Sequence, residues 1–184
     1  MSYNPTIHHR RSIRLRGYDY SQSGLYFVTI CCRDRECLFG EIVDGEMVLS
    51  YFGKIAYNEW VRSAEIRKEI EIHEYIVMPN HFHAIVEIVG TYGIRPKNDA
   101  DNKGVCHTPL RSPSKTVGSL VRGFKSSVTK QLGFPVWQRN YHEHIIRNEK
   151  SYQYIANYII NNPAKWKDDG FYVEGSACKN GETC

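Results

Sequence analysis

Short apolar runs, rich in β-branched and aromatic residues or alternating with polar ones, predict the strands of this chain. The predicted strands are residues 26–32, 70–78, 81–89 and 142–147. A hairpin is predicted over residues 38–49, because Asp44-Gly45 is a favoured two-residue turn between extended segments. Strands therefore occur in both halves of the chain.

Apolar residues at helical spacing predict three helices between and after these strands. The first follows Ser50, which suits an N-cap, and runs to about Lys68. The second follows Ser114. The third spans about residues 148–161 and ends before Pro163, which cannot continue a helix.

The order of elements is strand, hairpin, helix, strand, strand, helix, strand, helix. This order predicts an α+β fold, a ferredoxin-like sandwich with a largely antiparallel sheet and helices packed on one face. The 184 residues are enough for one domain with its own core. We expect a single domain over 1–167 with a basic arm at 1–20, a loop insertion at 90–113 and a loose tail at 168–184.

Positive charge is concentrated in two segments of a chain whose formal net charge is +4. Residues 1–17 and residues 115–130 are rich in basic residues and contain no acid. The first segment carries Arg10, Arg11, Arg14 and Arg16, and the helix of the second carries Arg122 and Lys125. Such segments favour a polyanion partner such as nucleic acid, although a solvated arm and an ordinary helix face would have the same composition.

The six cysteines do not form a C-x-x-C pair, which disfavours a zinc-ribbon site. The amino-terminal residues are polar and basic and lack the apolar core of a signal peptide. No run approaches the length of a transmembrane helix. We therefore expect a cytoplasmic protein with reduced thiols and no membrane association.

The strand over residues 81–89 begins with His-Phe-His. Successive side chains of a strand point to opposite faces, so His81 and His83 share one face while Phe82 and Ala84 share the other, apolar one. The two histidines stand two strand rises, about 6–7 Å, apart and could converge on one metal ion. A third ligand is needed, and many H-x-H pairs on strands are simply surface histidines.

The last predicted helix carries Tyr154, Tyr158 and Asn162 at intervals of four residues, and therefore on one side. A tyrosine with an amide one turn later suits a site in which the phenol attacks and the amide oxygen binds a metal ion. Tyr158 has that amide in Asn162, whereas Tyr154 has no amide one turn later. Taken alone, these residues are equally consistent with the core or rim of an ordinary helix and with an asparagine stop before Pro163.

A second H-x-H, His142-x-His144, competes with the first pair as a metal site. Its surroundings are more polar and lack a matching apolar face. We therefore interpret His144 and Arg147 as phosphate-contacting or structural groups.

Several motifs together resemble the single-tyrosine HUH transposases of bacterial insertion sequences, most closely the REP-associated tyrosine transposases. In chain order they are Gly24-x-Tyr26-Phe27-Val28-Thr29, Met78-Pro79-Asn80-His81-Phe82-His83, Trp137-Gln138, Glu143-His144-x-Ile146-Arg147 and Tyr158-Ile159-x-x-Asn162-Pro163. Each motif is loose alone, but the set in this order is specific and covers about residues 10–167.

The resemblance implies a DNA strand-transfer enzyme with a divalent ion, Mg²⁺ or Mn²⁺, held by His81, His83 and Asn162, and with Tyr158 as the nucleophile. Insertion-sequence members carry glutamine at the position of Asn162, and asparagine, one methylene shorter, still offers a carbonyl oxygen. The family acts on single-stranded DNA with hairpins and leaves a 5′-phosphotyrosine and a free 3′-OH. The last helix must then lie across the sheet face that carries the two histidines.

The chemistry of these residues agrees with that function. A free tyrosine has a pKa near 10, so only about 0.1% of it is phenolate at neutral pH and a metal ion at the phosphate would assist its attack. A covalent phosphotyrosine keeps the phosphodiester energy for rejoining. On this interpretation the DNA-contacting residues are Arg10, Arg11, Arg14, Arg16, Arg122, Lys125, His144 and Arg147.

Three alternatives stay open beside the strand-transfer enzyme. They are a non-catalytic hairpin-binding protein derived from a transposase, a rolling-circle initiator or relaxase with the same chemistry, and a structural metal protein. The residues also leave open whether Tyr158 meets the histidines of its own chain or of a partner. A monomer and a homodimer are both consistent with the sequence.

Overall fold

The computed structural model describes residues 22–89 and 116–173. Three sets of predictions lie outside that part of the chain: the arm at 1–20 with Arg10, Arg11, Arg14 and Arg16, the loop at 90–113, and the tail beyond residue 173.

Six strands and three α-helices form the described part of the chain. They are β1 (Gly24–Cys31), β2 (Gly40–Val43), β3 (Glu46–Leu49), α1 (Tyr51–Ile66), β4 (Ile70–Val77), β5 (His81–Ile88), α2 (Val117–Leu132), β6 (His142–Ile146) and α3 (Glu149–Asn161). Each predicted strand and helix is present, with boundaries that differ by a few residues.

Four strands form one antiparallel sheet in the order β4-β5-β1-β6. Without the β2–β3 hairpin the chain runs β-α-β-β-α-β, and β5 lies between the two strands that α1 connects. This is the split βαβ arrangement of a ferredoxin-like sandwich, so the predicted fold class is confirmed. The hairpin forms a separate two-stranded sheet, and its turn has positive φ at both Asp44 (52°) and Gly45 (82°), as a tight hairpin turn requires.

One face of the sheet packs against α1 and α2 and forms the main core. Trp60 of α1, Phe82 of β5 and Phe124 of α2 meet there, with ring centroids 4.7, 5.1 and 5.3 Å apart. All three side chains are almost completely buried. The apolar face predicted for β5 is therefore the core face.

The third helix lies on the opposite face, the one that carries His81 and His83. Ile155 and Ile159 of α3 pack there on Ile85 of β5 in a smaller apolar cluster. The expectation of helices on one face therefore holds for α1 and α2, while α3 buries its apolar stripe beside the histidines. This is the position that the predicted site requires of the last helix.

Side-chain caps begin both α1 and α2. Ser50 caps α1 as expected, and its hydroxyl accepts the backbone N–H of Gly53 at 3.1 Å. The N-cap of α2 is Thr116 and not Ser114, because Thr116 and Ser119 form a reciprocal capping box. None of the helices in the described ranges is long and apolar enough to cross a membrane.

Candidate metal and tyrosine site

Two histidines lie side by side at the start of β5. His81 and His83 are 0% and 1% exposed, and their ring centroids are 4.4 Å apart. They lie on the sheet face that α3 covers, paired in register with Cys31 and Thr29 of β1. The alternative of two surface histidines is therefore excluded for this pair.

His81 is held in a single tautomer. Its Nδ1 lies 2.9 Å from Oδ1 of Asn80, and an amide oxygen only accepts, so Nδ1 carries the proton. Nε2 then carries a lone pair, and this buried atom has no hydrogen-bond partner among the described residues. Burial lowers the pKa of His81 to about 3, so the ring is neutral at physiological pH. A buried lone pair without a donor is costly in a folded protein but suits a metal ligand.

His83 connects β1 to the tyrosine helix. Its Nδ1 lies 2.8 Å from Oγ1 of Thr29, and its Nε2 lies 3.2 Å from the hydroxyl oxygen of Tyr158. The ring of Phe27 stacks on the imidazole with centroids 5.2 Å apart. Burial, and then the neighbouring His81, lowers the pKa of His83 well below its ordinary value. His83 is therefore a second neutral imidazole, fixed on both nitrogens.

Tyr158 projects from α3 toward the histidines of its own chain. Its hydroxyl donates to Oδ2 of Asp169 at 2.9 Å. A phenol has only one proton, so at the second contact Nε2–H of His83 donates to the phenol oxygen. Nδ1 of the same neutral ring then has no proton and accepts from the hydroxyl of Thr29. Burial, and then the hydrogen bond and charge of Asp169, raises the pKa of Tyr158 above its ordinary value. The phenol is thus held neutral within a chain of hydrogen bonds.

Tyr154, the alternative tyrosine, lies one turn earlier on α3 and is 76% exposed, against 38% for Tyr158. Of the two, Tyr158 is the one whose hydroxyl reaches a histidine. A cavity of about 290 Å³ opens beside both tyrosines and is also lined by Asn162, Lys165 and Asp169. The Tyr158 side chain is therefore accessible from solvent on the side away from the sheet.

Asn162 lies at the carboxyl end of α3 and is 2% exposed. Its Nδ2 donates to Oδ2 of Asp169 at 2.7 Å, which fixes the orientation of the amide. Its Oδ1 is buried and has no hydrogen-bond partner within the described ranges. The amide oxygen is therefore available as a ligand atom.

Asp169 was missed by the sequence analysis, because it falls within the predicted loose tail from residue 168. The structure instead places the first residues of that tail against the site. Oδ1 of Asp169 accepts the backbone N–H of Phe171 at 2.7 Å, and the ring of Phe171 lies 4.6 Å from that of His81. The Nδ2 of Asn80 donates to the carbonyl of Phe171 at 2.8 Å. The aromatic residues next to Asp169 are the signal in the sequence that indicates a packed segment.

Donor atoms of His81, His83 and Asp169 all lie within 4.8 Å of one another. Imidazole nitrogens together with carboxylate and amide oxygens form a donor set suited to Mn²⁺, and the oxygens also suit Mg²⁺. The unpartnered atoms of His81 and Asn162 add to this fit. The residues present are therefore compatible with one divalent ion.

A second group of possible ligands lies on the same sheet face, away from Tyr158. Glu71, His73 and Glu87 also bring donor atoms within 4.8 Å of one another. Nε2 of His73 is already hydrogen-bonded to Glu87 at 3.1 Å, and its Nδ1 to the hydroxyl of Tyr152 at 3.2 Å. This group is partly exposed, whereas the first is largely buried and includes Nε2 of His81, an atom without a partner among the described residues.

The predicted DNA-contacting residues occupy different surfaces. Arg122 is exposed on α2, on the opposite side of the sheet from Tyr158. His144 and Arg147 are exposed at the edge strand β6, and His144 pairs with Phe27, so it shares the face of the site. A strand of DNA that touches all three must pass around the β6 edge.

Lys125 has a structural role that its sequence position did not reveal. Its Nζ donates to the carbonyl oxygens of Gln138 and Asn140, both at 2.8 Å. Burial lowers the pKa of Lys125 to about 8. The ammonium group therefore anchors the segment before β6, and a DNA contact at this residue stays a prediction.

The second H-x-H pair is separate from the site. His142 and His144 are both exposed on β6. Among the described residues, no third histidine, cysteine or acidic donor joins them in a cluster. The interpretation of the first pair as the candidate metal site is therefore the one that the geometry favours.

Comparisons with known proteins agree with this arrangement. No family model matches the sequence. An uncharacterized protein of Haemophilus influenzae is 44% identical over 94% of this chain and 98% of its own length. A REP-associated tyrosine transposase of Escherichia coli is 25% identical over 79% of this chain and 70% of its own length. A solved structure of a REP-associated tyrosine transposase bound to a REP hairpin has the same fold, with a TM-score of 0.55 and 24% identity over 86% of this chain and 75% of that chain.

Paired histidines on a ferredoxin-like sheet, with a tyrosine-bearing helix across them, are the arrangement expected of single-tyrosine HUH transposases. Within that class the named relatives support the predicted resemblance to REP-associated tyrosine transposases, to which the chain is similar in sequence and in fold. A transposase-like protein is therefore the general assignment.

Proposed function

We propose that this protein is a metal-dependent enzyme that nicks and joins single-stranded DNA through a 5′-phosphotyrosine at Tyr158. The observation that supports it best is the contact of 3.2 Å between the Tyr158 hydroxyl and Nε2 of His83. Beside it lie two buried ligand atoms, Nε2 of His81 and Oδ1 of Asn162, that have no hydrogen-bond partner in the described part of the chain. A purely structural metal site does not require a solvent-accessible phenol beside its ligands, as Tyr158 is here.

His81, His83 and Asn162 would hold the divalent ion, Mg²⁺ or Mn²⁺. When bound, the ion would neutralise charge on the scissile phosphate and orient it for in-line attack. The protein prepares the ligands: burial keeps both imidazoles neutral, and Asn80 holds Nε2 of His81 free of a proton. A protonated histidine could not serve as a ligand.

Tyr158 would supply the attacking oxygen. In the first step the phenol loses its proton and its oxygen bonds to phosphorus, while the bond to O3′ breaks and O3′ takes up a proton. The products are a 5′-phosphotyrosine and a free 3′-OH. In the second step a 3′-OH attacks the phosphotyrosine, which restores a phosphodiester and the free phenol.

Hairpin-bearing single-stranded DNA is the substrate that the surface and the relatives support. The solved relative binds a REP hairpin. His144 lies on the β6 edge on the side of the site, Arg147 is exposed just beyond the end of that strand, and Arg122 could contact DNA that passes around the edge. The arm with Arg10, Arg11, Arg14 and Arg16 would add further phosphate contacts. The contact of Tyr158 with His83 of its own chain supports a site that a monomer would complete.

The second candidate is a protein that binds such hairpins without cutting them. The burial of the ligand atoms beside the aromatic ring of Phe171 is the observation that favours it, since a phosphate must reach the same atoms. The two candidates differ in one measurable product, the covalent adduct between protein and DNA.

The test is incubation of the protein with hairpin DNA labelled at its 3′ end, the part that stays on the tyrosine, and Mn²⁺, followed by denaturing electrophoresis. We expect a covalent adduct for wild type and for Tyr154→Phe, and none for Tyr158→Phe. An adduct with Tyr158→Phe would assign the nucleophile elsewhere. Hairpin binding without any adduct across a panel of repeat hairpins would favour the non-catalytic candidate.

A further inference from the structure

We propose that Asp169 is the anionic ligand of the metal centre, in addition to His81, His83 and Asn162. This inference rests on the proposed function, because it takes the metal dependence of that function as given. It assigns a ligand in the segment after α3, outside the sequence motifs that contain the other three residues.

The position of Asp169 supports this role. Its carboxylate lies within 4.8 Å of donor nitrogens of both His81 and His83. It is fixed from two sides, because Oδ1 accepts the N–H of Phe171 and Oδ2 accepts Nδ2 of Asn162, each at 2.7 Å. Ligating carboxylates are commonly oriented by such hydrogen bonds. Asp169 is therefore in place before an ion binds.

Charge balance gives a second reason. An imidazole that binds a metal through its lone pair is neutral, as is an amide, so His81, His83 and Asn162 would not compensate the charge of a divalent ion. Buried charge is costly unless it is paired, and both histidines are almost fully buried. Mg²⁺ and Mn²⁺ are hard ions that prefer carboxylate oxygens. A carboxylate at Asp169 lowers the formal charge of the centre by one.

The same carboxylate connects the metal centre to the nucleophile. In the metal-free protein Nε2 of His83 donates to Tyr158, and Tyr158 donates to Asp169. A metal ion can bind Nε2 of His83 only where that atom carries a lone pair, so the proton must move to Nδ1. Nδ1 would then donate to the hydroxyl of Thr29, which can accept as well as donate. The ion would therefore replace the hydrogen bonds that hold the phenol, so that metal binding and release of Tyr158 for attack are coupled.

The test is the affinity of the metal-free, full-length protein for Mn²⁺, measured from the electron paramagnetic resonance signal of the free ion. This measurement needs neither DNA nor activity. All proteins carry His73→Gln, which removes the second group of possible ligands. Asp169→Asn keeps the size of the side chain and removes its charge. Asp168→Asn is the matched control, because Asp168 is adjacent, exposed and outside the donor cluster.

We expect Asp169→Asn to weaken Mn²⁺ binding by at least about tenfold and Asp168→Asn to leave it unchanged. Equal Mn²⁺ affinity for Asp169→Asn and the parent would overturn the inference. If Asp169→Asn binds Mn²⁺ as the parent does but His81→Gln binds it more weakly, this inference fails and the metal dependence of the proposed function is retained. If the parent protein binds no Mn²⁺, the proposed function fails and this inference fails with it.

Ni²⁺ distinguishes loss of a ligand from loss of structure. Ni²⁺ depends more on imidazole and Mn²⁺ more on carboxylate, so Asp169→Asn should lose more affinity for Mn²⁺ than for Ni²⁺. Affinity for Ni²⁺ is measured by competition with a chromophoric chelator. Equal losses for both ions would indicate a disrupted site and would overturn the assignment of Asp169 as a ligand.

Discussion

The hydroxyl oxygen of Tyr158 lies 3.2 Å from Nε2 of His83 in the same chain, although the two residues are 75 positions apart. The contact exists because α3 buries Ile155 and Ile159 on the sheet face that carries the histidines. The packing that stabilises the helix also positions the tyrosine. The proposed nucleophile therefore lies beside the proposed metal ligands of its own chain.

Thr29 is expected to tune the metal centre without touching the ion. Thr29→Val keeps the shape of the side chain and removes the hydroxyl that bonds Nδ1 of His83. Partners of this kind typically change metal affinity by about 10–100-fold, so we expect Mn²⁺ binding to weaken within that range. The measurement is a Mn²⁺ titration, with Thr129→Val on α2 as the control. Unchanged affinity in Thr29→Val would show that the hydroxyl does not orient the ring.

The metal-free protein should lose stability as the pH falls below about 6.5. The pKa of His81 is about 3 in the folded chain and 6.5 in the unfolded chain, so between these values the unfolded state binds one proton more. The free energy of unfolding then falls by about 1.4 kcal/mol per pH unit from this residue, and its full contribution is present only above pH 6.5.

Urea unfolding in EDTA at pH 7.5, 6.5 and 5.5 measures that dependence. His81→Gln should have a shallower slope with pH than wild type, whereas His144→Gln, which changes an exposed histidine, should keep the wild-type slope. Identical slopes for wild type and His81→Gln would contradict the account of a buried neutral imidazole.

The core face should be far more sensitive to truncation than the exposed face of α3. Phe124 is 1% exposed and contacts Trp60, Phe82 and Trp137, so Phe124→Ala should lower the free energy of unfolding by about 3–5 kcal/mol. Tyr154→Ala, at a residue that is 76% exposed, should change it by less than about 0.5 kcal/mol. Denaturant unfolding of the two variants checks both values, and similar losses would place Phe124 outside the core.

Arg147 and Lys125 should behave differently in DNA binding. Arg147→Gln removes an exposed charge just beyond the edge strand β6, so the affinity for a hairpin strand should fall and the slope of log affinity against log salt should decrease by about one. Lys125→Met should leave that slope unchanged and lower the melting temperature, because its ammonium bonds two backbone carbonyls. Fluorescence anisotropy at several salt concentrations measures the slopes. A reduced slope for Lys125→Met would show that Lys125 also contacts DNA.

Local pattern was sufficient for the strands and helices, and it marked His81, His83, Tyr158 and Asn162 as candidates, while their predicted roles came from the family resemblance. Alternation along β5 separated the histidine face from the Phe82 face, and both faces are buried as that alternation requires. Spacing along α3 placed Tyr158 and Asn162 one turn apart. The alternation and the spacing both follow from the regular geometry of a strand or a helix, so they can be predicted from residue positions in the sequence.

Long-range packing decided the rest. Asp169 lies beside the histidines because Phe171 packs on His81, and Lys125 anchors a later segment because two of its carbonyl groups lie within reach of the ammonium. The side of the sheet that α3 occupies depends on which apolar residues of the sheet its own apolar face packs against. The spacing of residues within α3 does not determine that. Contacts between residues distant in sequence arise only when the whole chain is packed, so the donor cluster around Tyr158 required the tertiary structure.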